Sequence, residues 1–336
     1  MINTPSEIVE KTKLFLWISS FSFPMILVNS VITNYLFITT SPLLVYAQIV
    51  QVIGTFLLNF FLFGQGDVSL HWGVDELGTY KVIQSGFNLV VNLIFLHWVE
   101  KMGPKKFWWD IPLRNNFATN ISELMVVSWP NFGDSAIRNF FYFVVTLKFI
   151  NSLGTTEVGA WNLLNTIMFG VFLLPTNSVA NLIKVKVGHD AESSSLKKVI
   201  RDTSKEAFSC LTAWTILLTV SGSIFWSDIA AYFSPSNPSV QDLSATMFLH
   251  AGWTFILFSY NTALDSLFYG TGDTIYVFYQ SLVTNGVVYV VPWILFEAGI
   301  ILPSYWLVVG LWSAGMTVDF ALTLIFSIHL WTTIPN

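Results

Sequence analysis

Residues 206–226 run EAFSCLTAWTILLTVSGSIFW, and no charged residue follows Glu206 until Asp228. A helix must place ~20 mostly apolar residues in succession to cross ~30 Å of hydrocarbon. This stretch does so. Walking outward from it finds others near 14–38, 43–64, 79–99, 122–150, 157–183, 243–268, 274–297 and 302–328. The expectation is an all-α integral membrane protein with about nine transmembrane helices. Backbone groups in lipid must bond within their own segment, which selects helices. A β-barrel would show short alternating segments, and these runs are long and continuous. Pro24, Pro130, Pro175 and Pro292 fall inside the runs and should kink them.

The whole chain agrees with its central stretch. Of 336 residues, 54% are hydrophobic and 10% charged, against ~25% charged in soluble domains. That balance excludes a water-soluble enzyme, a nucleic-acid binder and a disordered chain. Membrane lipids are the expected surroundings, and no nucleic acid is expected as a partner. Thirty Phe and 14 Trp suit an outer face that meets lipid and headgroups. The single cysteine, Cys210, allows neither an intrachain disulfide nor a cysteine metal site and reads as a packing residue. His71, His97, His189, His250 and His329 are scattered, without HExxH spacing. No metal, no cofactor and no enzymatic activity are therefore expected. The first apolar run is too long for a signal peptide and reads as a first membrane helix.

Basic residues set the orientation. Loop 100–120 carries Lys101, Lys105, Lys106 and Arg114; loop 184–205 carries Lys184, Lys186, Lys197, Lys198, Arg201 and Lys205. Both should be cytoplasmic. Loops 65–78 and 227–242 lack Lys and Arg and should be external. Phe107, Trp108 and Trp109 beside Lys105 and Lys106 read as an interfacial anchor. An odd span count then puts the N-terminus outside, while Lys11 and Lys13 before the first span argue for inside.

Several short patterns occur in a fixed order. Trp129-Pro130 lies early in a long run. Gly154 precedes Val158-Gly159-Ala160-Trp161, and Pro175 and Ala180 lead to Val187-Gly188. Gly270-Thr271-Gly272-Asp273-Thr274 separates two runs, and Pro292 is followed by Gly310-Leu311-Trp312. From about residue 120 onward this set resembles the second half of a multidrug and toxic compound extrusion (MATE) transporter, with its G…AAW, P…A…VG, RGTGDT and P…GxW patterns. Residues 14–99, with Pro24, Gln48, Gly54, Asn59 and Gly73-Val74, resemble the last three helices of the family's first half. There Gly73-Val74-Asp75-Glu76 departs from the usual run of small residues.

The resemblance implies a partial N-terminal bundle with a basic interlobe loop over 1–120 and a complete six-helix bundle over 121–336. The family's first three helices would be lacking, so the chain reads as a truncated product or an incomplete gene model. The odd span count points the same way.

Ionisable groups at membrane depth cost ~2.5–3.5 kcal/mol each on insertion scales and mark function by default. The candidates are Asp134, Arg138, Asp265, Asp319 and His250. Asp134 and Arg138 stand four apart and share a helix face. Either they only neutralise one another, or Asp134 is a proton site whose affinity Arg138 sets. Asp265, close to Gly270, is expected at a solvated helix end. Asp319 has no basic residue in its own run and must face a polar interior or be neutral. His250 is expected to find a backbone partner, with a proton relay as the alternative.

Gly270 and Gly272 should form a tight interhelical turn, with Asp273 or Thr274 capping the next helix. The family's coupling carboxylates do not carry over. One lies in the lacking first helix. Arg138 stands eight residues after Pro130, and Phe258 twelve before Gly270, where the others would be. Tyr269 replaces the arginine of the turn.

The resemblance implies a monomeric secondary antiporter. It would export organic, often cationic or aromatic, compounds (multidrug or xenobiotic efflux) in exchange for H+ or Na+, from a cavity between bundles. The alternatives are a transport-inactive fragment and a lipid-linked saccharide flippase of the same superfamily. The flippase usually has a basic central cavity, whereas the central charges here are mostly acidic.

Overall fold

Each of the nine apolar stretches is helical in the computed structural model. No strand occurs among the described residues, which are 6–38, 43–63, 69–72, 76–100, 117–191, 195–235 and 237–334. The basic cluster Lys101–Arg114, its aromatic anchor and Gly73-Val74-Asp75 lie outside them. The chain divides into two compact units, Thr4–Phe117 and Ala118–Asn336.

The N-terminal unit holds α1 (Ser6–Ser20), α2 (Ser22–Ile38), α3 (Leu43–Phe63) and α4 (Leu77–Glu100). The first two are bent by 46° across Phe21. Helix α4 packs on the other three, and Val91 and Phe95, one turn apart on it, close over Ala47 of α3.

The C-terminal unit begins with α5 (Phe117–Phe141), a π turn (Tyr142–Thr146) and α6 (Leu147–Asn151). There follow α7 (Thr155–Ile167), a second π turn (Met168–Phe172) and α8 (Leu173–His189). Next come α9 (Leu196–Phe233), α10 (Pro238–Ala251) and α11 (Thr254–Thr271). The unit ends with α12 (Ile275–Val283), a third π turn (Thr284–Tyr289), α13 (Val290–Glu297) and α14 (Tyr305–Thr333).

Two π turns have a cause in the sequence. Pro175 and Pro292 lack the N–H that would bond the carbonyl four residues back and crowd that carbonyl with their rings. Those carbonyls belong to Val171 and Val288, each inside a π turn. Pro130, in contrast, sits in an unbroken α5, and Pro24 in the first turn of α2, where its missing donor costs nothing.

Five helical stretches are long and apolar enough to cross a membrane: Tyr46–Phe63, Thr155–His189, Leu196–Phe233, Ile275–Glu297 and Tyr305–Thr333. The bent α1–α2 pair makes up to six. The other three stretches are helical but more polar or interrupted. Helix α4 carries Lys81, Gln84, Asn88 and Asn92; α5 carries Asp134 and Arg138. The run 243–268, expected as one span, is broken between Ala251 and Thr254 into helices of 14 and 18 residues.

Two further expectations are corrected. The basic segment 184–205 is not a loop: Lys184 and Lys186 close α8, and Lys197 to Lys205 open α9. Between them Asp190, Ala191 and Ser195 are not helical. With 38 residues α9 is ~57 Å long, so it outruns the hydrocarbon and carries its basic end into the headgroup region.

The glycines of the 270–274 turn divide their work. Gly272 takes φ +84°, the left-handed conformation that ends α11. Gly270 is still helical, and a methyl group there would lie 2.9 Å from Val187 Cβ, so it allows α11 to press on α8. Thr274 precedes α12 with φ −62° and ψ −14°, already helical, and makes no side-chain capping bond; a capping side chain needs the extended backbone that is missing here.

Two apolar clusters fill this unit. Trp161, Phe248, Phe255 and Val308 belong to one; Val187, Leu211, Phe268 and Leu330 to the other. Helices α11 and α14 run through both, and along them Asn261, Asp265, Asp319 and Thr323 form a buried polar band. Asp319 is the midpoint of the 29-residue α14, ~21 Å from either end.

Candidate functional site

The polar band is built from pairs one helical turn apart. On α5, Arg138 Nε donates to Asp134 Oδ1 at 2.6 Å. Its Nη2 lies 3.9 Å from Asp265 Oδ2 on α11. On α11, Asn261 Nδ2 donates to Asp265 Oδ2 at 3.3 Å and to Asp319 Oδ2 of α14 at 3.0 Å. Asn261 Oδ1 accepts from Gln280 Nε2 of α12 at 3.4 Å. Thr284, the first residue of the third π turn, donates to Asp319 Oδ1 at 3.1 Å. The Thr323 hydroxyl reaches Asp265 Oδ1 at 3.3 Å and the Asp319 carbonyl at 3.0 Å.

Asp134, Asp265 and Asp319 are 6, 6 and 7% exposed. The Arg138 side chain is 36% exposed, because it opens into two cavities. The first, about 270 Å³, is lined by Arg138, Asp319, Thr284, Tyr289 and Trp312. The second, about 480 Å³, is lined by Asp134, Asp265, Arg138, Lys184 and Tyr269. Tyr142, Thr146, Thr284, Asn285 and Tyr289, from two of the π turns, all border the first cavity. Widened turns of this kind gather at functional sites.

Three buried carboxylates thus surround one guanidinium. With all groups ionised the cluster carries two negative charges in excess, in a medium where isolated charge is costly. Arg138 balances one of the three carboxylates; the rest is left to a proton, to Lys184 at the wall of the second cavity, or to a bound cation.

Four of the five candidate residues from the sequence converge here. Asp265 does not end a solvated helix: it is buried among Arg138, Asn261 and Thr323, because the chain runs on in α11 for six residues beyond it. Asp319 faces a polar interior. His250 lies elsewhere, exposed on α10, with Nδ1 2.7 Å from the Thr246 carbonyl and 3.2 Å from the Tyr305 hydroxyl.

A second polar cluster, absent from the expectations, lies in the N-terminal unit. Asn92 Nδ2 donates to Asn29 Oδ1 at 2.7 Å and to Thr33 Oγ1 at 2.8 Å. Gln51 Nε2 donates to Asn92 Oδ1 at 2.8 Å and to the Asn88 carbonyl at 3.2 Å. Its sequence signal was the one-turn spacing of Asn29 with Thr33 and of Asn88 with Asn92 inside apolar runs.

Comparison with known proteins gives two findings. The family model described as MatE matches residues 132–294, which include Asp134, Arg138 and Asp265 but not Asp319. The crystal structure of a mutant of the Vibrio cholerae MATE transporter VcmN has a similar fold, with a TM-score of 0.71 at 12% identity, over 98% of this chain and 70% of that one. No curated protein matches in sequence.

Proposed function

The chain belongs to the MATE family through the MatE domain at residues 132–294, and from that premise we infer that this multi-pass membrane transporter exchanges organic cations for protons. The observation that carries the reading is the excess of buried carboxylate around Arg138. A site of this kind rests when a proton or a cationic substrate neutralises it, and competition between the two couples their movements. The first cavity suits the substrate. Tyr289 and Trp312 offer ring faces to a cation, and Asp319 offers a carboxylate at the same opening.

Proton coupling is favoured over Na+ by the geometry. The carboxylates are held apart by the Arg138 and Asn261 side chains instead of converging on an empty centre. The test is uptake of ethidium by proteoliposomes containing the full chain. A pH gradient should drive accumulation and a Na+ gradient at constant pH should not. The opposite result would replace the coupling ion, and no uptake under either gradient would refute the transporter reading.

A further inference from the structure

A third cavity has no part in that chemistry. It is an apolar groove of about 330 Å³ where the first turns of α9 pass the last turns of α14. Phe208, Leu267, Ile328 and Trp331 wall it, and Arg201 and Lys205 stand at its rim. The position follows from the sequence. Charge ceases along α9 at Glu206, so the helix enters hydrocarbon there, and the groove straddles that boundary. Its basic rim lies at headgroup level and its apolar wall at the level of the first acyl carbons.

The charges around the groove are unequal in freedom. Arg201 Nε lies 3.2 Å from Asp202, and Glu206 is engaged by Lys186 at 3.2 Å. Lys197 lies over the Trp331 ring, 5.4 Å from its centroid, and stiffens one wall. Lys205 has no ion-pair partner among the described residues. The Ser327 hydroxyl borders the groove, is buried, and has no hydrogen-bond partner among the described residues. An apolar trough with a free ammonium at one end matches one kind of molecule.

We propose that this groove binds an anionic glycerophospholipid. The phosphate meets Lys205 and the free N–H groups of Arg201, and an acyl chain lies along Phe208, Ile328 and Trp331. Basic clusters select cytoplasmic leaflets, where anionic lipids are concentrated, which agrees with the side these lysines are expected to face.

Each basic residue near an anionic surface contributes about 1 kcal/mol, or roughly fivefold in affinity. The full chain, purified in mild detergent, is mixed with dioleoyl phosphatidylglycerol or dioleoyl phosphatidylcholine, and bound lipid is counted by native mass spectrometry. The wild type should retain phosphatidylglycerol preferentially. Lys205→Gln should lower that preference about fivefold, and Lys205→Gln with Arg201→Gln further, toward thirtyfold. Ile328→Trp should fill the trough and release both lipids. Lys198→Gln, on the same helix but outside the groove, should change nothing. Equal retention of the two lipids by the wild type would overturn the assignment. So would a wild-type preference in the double variant, or a loss with Lys198→Gln as large as with Lys205→Gln. The charge variants alter exposed residues, so the test stands if Ile328→Trp does not fold.

Discussion

The two units solve the same problem differently. In both, helices bring polar side chains together where lipid-like surroundings forbid them to stay alone. The N-terminal cluster of Asn29, Thr33, Gln51 and Asn92 is made of neutral groups that donate and accept among themselves. The C-terminal cluster sets Asp134, Asp265 and Asp319 around Arg138, and its charges do not balance. A neutral network needs nothing from outside and serves to fix helices. An unbalanced one has to exchange protons or cations with its surroundings, and two cavities give it the means. Burial alone, then, does not separate scaffold from mechanism; residual charge with access to a cavity does.

The largest expected effect comes from breaking the charged cluster. Asp134→Ala takes away the carboxylate hydrogen-bonded to Arg138 and leaves Asp265, at 3.9 Å, and Asp319 in the cluster. Stranding one partner of a buried pair costs about 3–5 kcal/mol, and the second carboxylate places this change at the low end. Thermal unfolding in detergent should show a drop of that size. Asp134→Asn combined with Arg138→Gln leaves Asp265 and Asp319 buried with no guanidinium, so it should be less stable still. A double variant as stable as the wild type would mean that the charges are not what holds this cluster.

The neutral cluster should be softer. Asn92→Leu removes three side-chain hydrogen bonds to Asn29, Thr33 and Gln51. At ~0.6 kcal/mol for each interhelical bond in a membrane, the loss should be roughly 2 kcal/mol. The same measurement checks it, and a cost above that of Asp134→Ala would invert the comparison. Thr323→Val takes away one donor to Asp265 and should cost about 0.6 kcal/mol. Smaller still is His250→Gln. His250 is exposed and outside both cavities, so unfolding should shift by less than about 0.5 kcal/mol, with pH-driven uptake unchanged. A loss of uptake with His250→Gln would move the proton path outside the cluster.

The sequence showed those parts of this picture that are local. Helical stretches follow from runs of ~20 apolar residues, and the Asp134–Arg138 pair from a spacing of four. Convergence was hidden, because Asp265 and Asp319 meet only through Asn261 and Thr323, across 58 residues of chain in each bond. Asn261 itself gave no signal, since a search for charge passes over neutral amides. The whole N-terminal cluster went unseen for the same reason. The π turns at 168–172 and 284–289 were half legible. Pro175 and Pro292 announced a disturbance, but not that it would widen the preceding turn. The turn at 142–146 has no proline behind it and left no mark in the sequence.

The central claim is that the unbalanced cluster, and not the neutral one, carries proton coupling. The most direct measurement places Asp134→Asn and Asn92→Leu side by side in proteoliposomes, with ethidium uptake driven by a pH gradient and normalised to folded protein. Asp134→Asn should abolish accumulation while ethidium still binds, and Asn92→Leu should accumulate it at the wild-type rate per folded molecule. Retention of pH-driven uptake by Asp134→Asn, or an equal loss in both variants, would contradict the account.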